Sequence, residues 1–432
     1  MGWEHHEWCN CLPGHDCAGY GRIEIFVCSR LTRSPNSALV YHSGEERNLF
    51  ECTLAMKTES RFSSLSLLVV VLACPAGLAA AQQQPSQKVT GSTPGISPPT
   101  LVLLDQHKDP VITVHSPGAE DNRYGFEDGR VVKIGNVYHL VTTEMFTEPF
   151  SVKTRIGYWT SPDRIHWTRV STLFVSSGDQ TGKDPRASLW GPLPVWNEKN
   201  GRWELFYVGY RSQPQTEPQW LLGYEGRIWR AVSKNKGLSG IGGPYEDVGV
   251  ILEPGPLSDP WEGLQGTDSF FPYQVGDAWY GIYGTAHTEK HPVTSWQVGL
   301  ASAPDLAGPW KRVSRLNPLP IEPVFAENPI VTRLDDGTYM AVYDTTNDDH
   351  AIGYAWSADG IHWARGKTLM VQPKGPGRWA QEITTPLGLI PEGHNTFTVF
   401  YTGRMKPVPI YSESIGFVTL KLERDRSGAR AK

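Results

Sequence analysis

"TDSFFPYQVGDAWYGIYG", residues Thr267 to Gly284, reads as a β-hairpin. An acidic residue, Asp268, stands before an apolar and aromatic run. A turn carrying Gly and Asp follows, and then a second aromatic-rich run. Four other stretches repeat this plan: "FEDGRVVKIGNVYHLVTT" from Phe126, "LWGPLPVWNEKNGRWELFYVG" from Leu189, "AENPIVTRLDDGTYMAVYD" from Ala326 and "ITTPLGLIPEGHNTFTVFYTG" from Ile383.

A second element follows four of the hairpins. "IGYWTSPDRIHWTRV" (Ile156 to Val170) and "IGYAWSADGIHWARG" (Ile352 to Gly366) are close relatives of each other. "VGLASAPDLAGPWKRV" (Val298 to Val313) is a variant, and "IWRAVSKNKGLSGIGGPYEDV" (Ile228 to Val248) a looser one. Each reads as a third strand, a turn and an outer fourth strand. In the last unit "IGFVTLKLE" (Ile415 to Glu423) supplies a third strand only. Five units of four short antiparallel strands predict an all-β chain folded as a five-bladed β-propeller. The segment near "DPVITVHS" (Asp109 to Ser116) is expected to supply the missing outer strand and close the ring. A β-sandwich is the alternative, but it leaves five matched units unexplained.

Composition agrees with many strands and punctuated turns. The 432 residues include 44 glycines, 34 prolines and 16 tryptophans. A net charge of −5 with 20% charged residues gives no sign of a nucleic-acid partner. Abundant tryptophan fits a carbohydrate binder, because apolar sugar faces stack on rings; the plainer reading is that aromatics fill a β core. All six cysteines (Cys9, Cys11, Cys17, Cys28, Cys52 and Cys74) precede residue 75, so the repeat region uses neither disulfides nor thiol chemistry. The spacing in "HHEWCNCLPGHDC" matches no standard zinc pattern, and no metal ligands are assigned.

"MKTESRFSSLSLLVVVLACPAGLAAAQQQ" begins at Met56. Lys57 and Arg61, the apolar run to Ala73 and the small residues Ala79 to Ala81 have the layout of a secretory signal peptide. The expected organisation is a non-native or disordered extension at 1–55, a signal peptide at 56–81 and a Pro/Gln/Ser-rich linker at 82–104. The catalytic propeller then spans 105–423, with a basic tail at 424–432. This implies a secreted or periplasmic protein with no other membrane association. "VLAC" leaves lipoprotein anchoring at Cys74 as the lesser alternative.

The repeats resemble those of the five-bladed propeller glycosidases: glycoside hydrolase families 43 and 117, with some similarity to families 32 and 130. The resemblance covers about residues 105–422 and is carried by the "S-x-D-G-I-H-W" and "S-x-x-x-x-G-P-W" turns. It implies a glycoside hydrolase whose inner strands begin near the central axis, where acidic residues line a funnel. Asp128 in "FEDGR" then looks like the general base, Asp268 in "GTDSFFP" like the pKa-tuning Asp, and Glu327 in "AENPIV" like the general acid. The sequence departs from family 43: Gly129 and Ser269 replace the usual Pro, Asn328 replaces Gly, and the second unit has Trp190 instead of a carboxylate. "FEDGR" also looks like the "E-D-P-R" strand of family 130, which includes phosphorylases. Arg130 takes the matching Arg position.

Independently of any family, glycoside hydrolysis needs a carboxylic acid to protonate the leaving oxygen and a second carboxylate to act on water or carbon. A third carboxylate keeps the acid protonated by like-charge repulsion. Asp128, Asp268 and Glu327 are read as one slot in three repeats; alternatively, a strand-start acid simply binds nearby N–H groups. Strand alternation places Glu127 on the opposite side from Asp128. Arg130, Trp190, Trp261, His287 and Glu382 are the substrate-binding candidates, set against ordinary packing or ion-pairing roles. His166 and His362 are expected to be structural. No cofactor is required, and a structural cation at the axis, known in some relatives, has no specific ligand set. The expected partner is an oligosaccharide or polysaccharide from plants or algae, cleaved by an exo-acting, inverting mechanism. The alternatives are a family 130-like phosphorylase and a non-catalytic, lectin-like propeller.

Overall fold

The hairpins of the sequence become five four-stranded antiparallel sheets in the computed structural model. The structure describes residues 98–146, 153–213, 223–289, 295–372, 379–404 and 413–424. The expected extension, the signal peptide, most of the linker and the tail beyond residue 424 lie outside the described residues. The chain opens on β1 (Thr100–Gln106) and then lays down four blades in order. Blade 1 is β2 (Phe126–Ile134), β3 (Val137–Met145), β4 (Thr154–Ser161) and β5 (Thr168–Val175). Blade 2 is β6 (Ser188–Asn197), β7 (Arg202–Arg211), β8 (Tyr224–Lys236) and β9 (Tyr245–Leu252). Blade 3 is β10 (Asp268–Val275), β11 (Ala278–Ala286), β12 (Trp296–Ala303) and β13 (Lys311–Arg312). Blade 4 is β14 (Glu327–Arg333), β15 (Tyr339–Asp344), β16 (Ala351–Ser357) and β17 (Lys367–Met370).

Blade 5 combines both ends of the described chain. β18 (Glu382–Gly393), β19 (Thr396–Arg404) and β20 (Ser414–Glu423) are joined on the outside by β1. Leu101 pairs with Leu422, and Leu103 with Leu420. The closing strand is therefore 100–106 and not the expected 109–116, so residues 100–104 belong to the blade rather than to the linker. The physical reason is legible: "TLVLL" offers uninterrupted N–H groups and buries Leu101, whereas Pro110 has no N–H to donate to a ladder. From the expected segment, Ile112 makes a bridge to Ile415 and is fully buried.

Burial along the strands follows position in the blade. The second strands β7 and β19 are buried almost end to end, because both faces of a blade pack against neighbouring blades. The outer strand β5 alternates between exposed and half-buried positions. The "S-x-D-x-I-H-W" turns fasten adjacent blades. Asp163 Oδ1 accepts the N–H groups of Ile165 (2.9 Å) and His166 (2.8 Å), and Asp359 Oδ1 those of Ile361 and His362 (both 2.8 Å). Each histidine Nδ1 lies 2.7 Å from the other oxygen of its aspartate, as a structural role requires. The tryptophan that ends each turn then reaches a neighbour. Trp167 packs edge-on against Phe400 of blade 5 (5.6 Å), and Trp363 donates to Tyr273 Oη of blade 3 (3.2 Å).

One irregularity recurs where the inner strands begin. Pairing slips between Glu127 and Gly129, Trp190 and Leu193, Asp268 and Phe271, and Glu327 and Ile330. Inside each slip one residue has positive φ: Asp128 (57°), Gly191 (56°), Ser269 (53°) and Asn328 (51°). These are β-bulges, and in three the residue named is not glycine, although Gly129 (φ 119°) follows Asp128 in blade 1; Asp and Asn tolerate the left-handed region better than most residues. A bulge breaks the two-residue alternation, so two consecutive side chains face the same way.

Candidate active site

Register assigns the slot. Glu127 pairs with Thr143, Trp190 with Val208, Asp268 with Gly284 and Glu327 with Asp344, one equivalent rung in four blades. Asp128 is therefore one residue past the slot of Asp268 and Glu327, and Glu127 occupies it. The expectation that Glu127 faces away from Asp128 is overturned by the bulge. Asp128 instead shares its position with Gly191, Ser269 and Asn328.

These bulge residues tie the blades together around the axis. Asp128 Oδ2 accepts the Gly191 N–H at 3.2 Å. Ser269 Oγ donates to Asn328 Oδ1 (2.9 Å), and Asn328 Nδ2 donates to Asp344 Oδ2 (3.2 Å). Thr385 Oγ1, from blade 5, donates to the same Asp344 oxygen at 3.1 Å. Glu413 comes from the residue before β20. It is brought in because Gly125, at φ 92°, lets the two backbones meet; a Cβ there would lie 2.1 Å from the Glu413 carbonyl oxygen.

The axis thus gathers Glu127, Asp128, Asp268, Glu327, Asp344 and Glu413, each within electrostatic reach of at least one other. Asp344 and Glu413 escape a search confined to first-strand starts. Asp344 ends the second strand "YMAVYD" and Glu413 precedes the third strand of its blade. The signal each carries is a lone acid beside an apolar run.

Burial and like charge act differently on each group. Glu327 is pushed well above the usual carboxylate range by burial, then by Asp268, Asp344, Asp128 and Glu127. Among the described residues its carboxyl has no hydrogen-bond donor or cation assigned to it. Asp128 is also raised well, by burial and by Glu127 and Asp268, against the pull of the Gly191 N–H and the Thr385 hydroxyl. Its second oxygen, Oδ1, is buried with no partner among the described residues. Glu127 is raised by burial and Glu413, with Arg404 opposing. Burial carries Glu413 up to about 8. Asp268 is raised by burial too, but Tyr210, Ser269 and Gln265 all pull it back. Gln265 Nε2 lies 3.0 Å from Tyr210 Oη and 3.3 Å from Asp268 Oδ2. Asp268 is the carboxylate best supplied with donors, and its negative charge is the largest one acting on Glu327.

The remaining candidates separate clearly. Trp190 stands in the slot of blade 2, half-buried, and packs against the apolar cluster that includes Val208, Tyr210 and Phe270. Glu382 holds Arg404 Nε at 2.9 Å, and that guanidinium in turn offsets Glu127 and Glu413. His287 follows β11 on the rim and is tied to Glu289 at 2.5 Å. Trp261 is a packing residue: its ring lies tilted against Tyr283 (5.6 Å between centroids) and covers Gly299, where a Cβ would meet it at 2.5 Å. Arg130 leaves the site altogether. Its Nη1 donates to the Pro194 carbonyl (2.6 Å) and its guanidinium lies over Phe271 (4.8 Å). Those partners sit three or four residues beyond Trp190 and Asp268, roughly 10 Å along the axis at the strand rise of about 3.3 Å per residue. Among the described residues, no group of three or more His, Cys, Asp or Glu side chains is arranged to hold a metal.

No family model and no curated protein matches the sequence. Solved structures do match the fold. A BT0996–RGII complex aligns with a TM-score of 0.53 at 14% identity, over 76% of this protein and 95% of that one. A glycoside hydrolase aligns at 0.50 and 14%, over 73% and 92%. A thermostable family-43 glycoside hydrolase aligns at 0.44 and 18%, over 73% and 94%. The protein thus has the five-bladed propeller fold found in glycoside hydrolases, and at these identities the likeness is one of fold.

Proposed function

We propose that the funnel hydrolyses glycosidic bonds by single displacement, with Glu327 as general acid, Asp128 as general base and Asp268 as the charge that holds the acid protonated. The observation that carries this is Glu327 itself, a desolvated carboxyl facing several acidic neighbours, beside an aspartate supplied with three donors. Glu327 and Asp268 are the two carboxyls whose environments push their protonation apart; Asp128, raised as Glu327 is, takes the base role through its place beside them at the axis. Glu327 gives its proton to the glycosidic oxygen as the C1–O bond breaks. Water adds to C1 and passes its proton to the ionised form of Asp128. Trp190 offers a ring face to the sugar. Arg130 crosses the axis below the site, so the funnel has a floor; this favours a chain end, hence exo action on oligosaccharide fragments of plant or algal origin. The same placement removes the matching arginine from any phosphate that would attack at C1, which favours water over phosphorolysis. The signal-peptide layout at 56–81 supports an enzyme of the cell exterior or periplasm.

The test is a panel of aryl glycosides and oligosaccharides run with and without phosphate, followed by NMR of the released anomer. Phosphate-independent release of sugar with inverted configuration is expected. Phosphate-dependent formation of a sugar phosphate would assign a phosphorylase, and tight binding without turnover a lectin.

Tyr210→Phe tests the tuning. Without its donor Asp268 protonates more readily, its charge on Glu327 fades, and the pKa of Glu327 falls. The alkaline limb of the kcat/KM profile is expected to move to lower pH. A purely structural tyrosine would leave that limb where it is.

A further inference from the structure

The axis has a second end. Away from the strand starts, β2, β14 and β18 enclose a cavity of about 510 Å³. Its mouth is at the hairpin tips, with Gly135, Arg333 and Glu392 in its lining, and Arg130 lines it as well. The volume falls in the range of small-molecule pockets, about 300–1,000 Å³.

The charge inside is unbalanced. Lys133 and Glu392 satisfy one another at 2.5 Å, and Glu392 also accepts from Tyr138 (2.8 Å) and Thr398 (2.8 Å). No other carboxylate lines the cavity. That leaves Arg130 and Arg333. Arg130 is the informative one. A guanidinium carries five N–H donors, and among the described residues this one spends a single bond, on the Pro194 carbonyl. No carboxylate is paired with it, and burial alone pulls its pKa down to about 10. Arg130 is half-buried, and a cation drawn partly out of water is normally paired. Arg333, exposed at the mouth, has no ion pair among the described residues either.

We propose that this cavity is an anion-binding site, taking a small ligand that bears an oxyanion, which Arg130 grips with its free N–H fork and Arg333 closes over. The fork matches a carboxylate or a tetrahedral oxyanion in two-point geometry. The shared chemistry has two sources, the carboxylate of a sugar acid or inorganic phosphate or sulfate. The site is separate from the funnel and stands whether or not the funnel hydrolyses glycosides.

Calorimetric titration of the full chain with glucuronate, phosphate and sulfate, against chloride, tests this. One saturable site for at least one oxyanion is expected, with a matching rise in Tm. Binding to glucuronate alone identifies the sugar acid as the source; binding of phosphate or sulfate identifies the inorganic ion. Arg130→Gln should weaken binding about ten- to hundredfold, the loss of a charged bidentate contact. Arg333→Gln, on an exposed residue with no folding role, should weaken it severalfold and serves if the first variant does not fold. Glu327→Gln should bind the anion as the parent does, which separates this site from the funnel. Absence of saturable binding at millimolar anion overturns the proposal, as does binding that neither arginine substitution changes.

Discussion

Glu327→Gln is expected to lower kcat on substrates with poor leaving groups by roughly 10²–10⁴-fold, the usual worth of a positioned general acid. The loss should shrink sharply on aryl glycosides whose leaving group needs no proton, since only the protonation step is removed. The alkaline limb of the pH profile should vanish with it. Folding should not suffer, and the sign of the linkage makes this a second readout. Burial and neighbouring carboxylates raise the native pKa of Glu327 above its unfolded value of about 4.3, so the folded state holds the extra proton between those two values. Stability therefore falls as pH rises through that window. The amide cannot ionise, so the variant escapes the penalty, and its Tm should equal or exceed that of the parent at neutral pH. Equal losses on all leaving groups, or unchanged turnover, would remove Glu327 from the acid role.

The largest stability effect is expected away from the funnel, at Glu144. Its side chain is fully buried at the end of β3. Oε1 accepts from Trp159 Nε1 (2.8 Å) and Arg169 Nε (3.0 Å), and Oε2 from Arg169 Nη2 (2.9 Å) and Arg155 Nε. Arg155 goes on to grip Asp121 with both terminal nitrogens, at 2.6 and 2.7 Å. The carboxylate lies against Gly157, where a Cβ would meet it at 2.1 Å, so the third strand has no room for a side chain at that point. Glu144→Gln removes the charge that two guanidinium groups share and turns an N–H₂ toward them. A loss of about 3–5 kcal/mol is expected, the cost of breaking a buried ion pair from one side. Denaturant unfolding measures it as a lower midpoint at unchanged slope. Asp121→Asn is the contrast. That side chain is 64% exposed, and exposed pairs are worth about 1 kcal/mol or less. Equal effects from the two substitutions would mean that burial does not govern this network.

The propeller was legible because its evidence is periodic. Five hairpins, and turns as alike as "SPDRIHW" and "SADGIHW", report local pairing, and local pairing is what turn chemistry and apolar alternation encode. Asp268 and Glu327 were legible for the same reason, each standing just before an apolar strand. The seam was harder. β1 closes blade 5 from the far end of the described chain, and no turn links it to its partner β20. Strand propensity could nominate several segments, and only the sheet chose among them.

The site shows where sequence reasoning stops. Alternation placed Glu127 opposite Asp128, and a left-handed residue at Asp128 turned both to the axis. The one trace of the bulge in "FEDGR" is Gly129, at φ 119° and with no room for a Cβ against the Val141 carbonyl, and it does not announce that the residue before it is left-handed too. Asp344 and Glu413 enter from second and third strands, brought within reach of Asp128 only once the blades close. Arg130 went the other way, two residues from Asp128 in sequence yet facing the opposite end of the channel. The sequence by itself determined the repeat, the blade and the acidic strand starts, since each depends on near neighbours in the chain. The tertiary structure decided which acids share a field, because charge interactions depend on distances through space that strand closure alone sets.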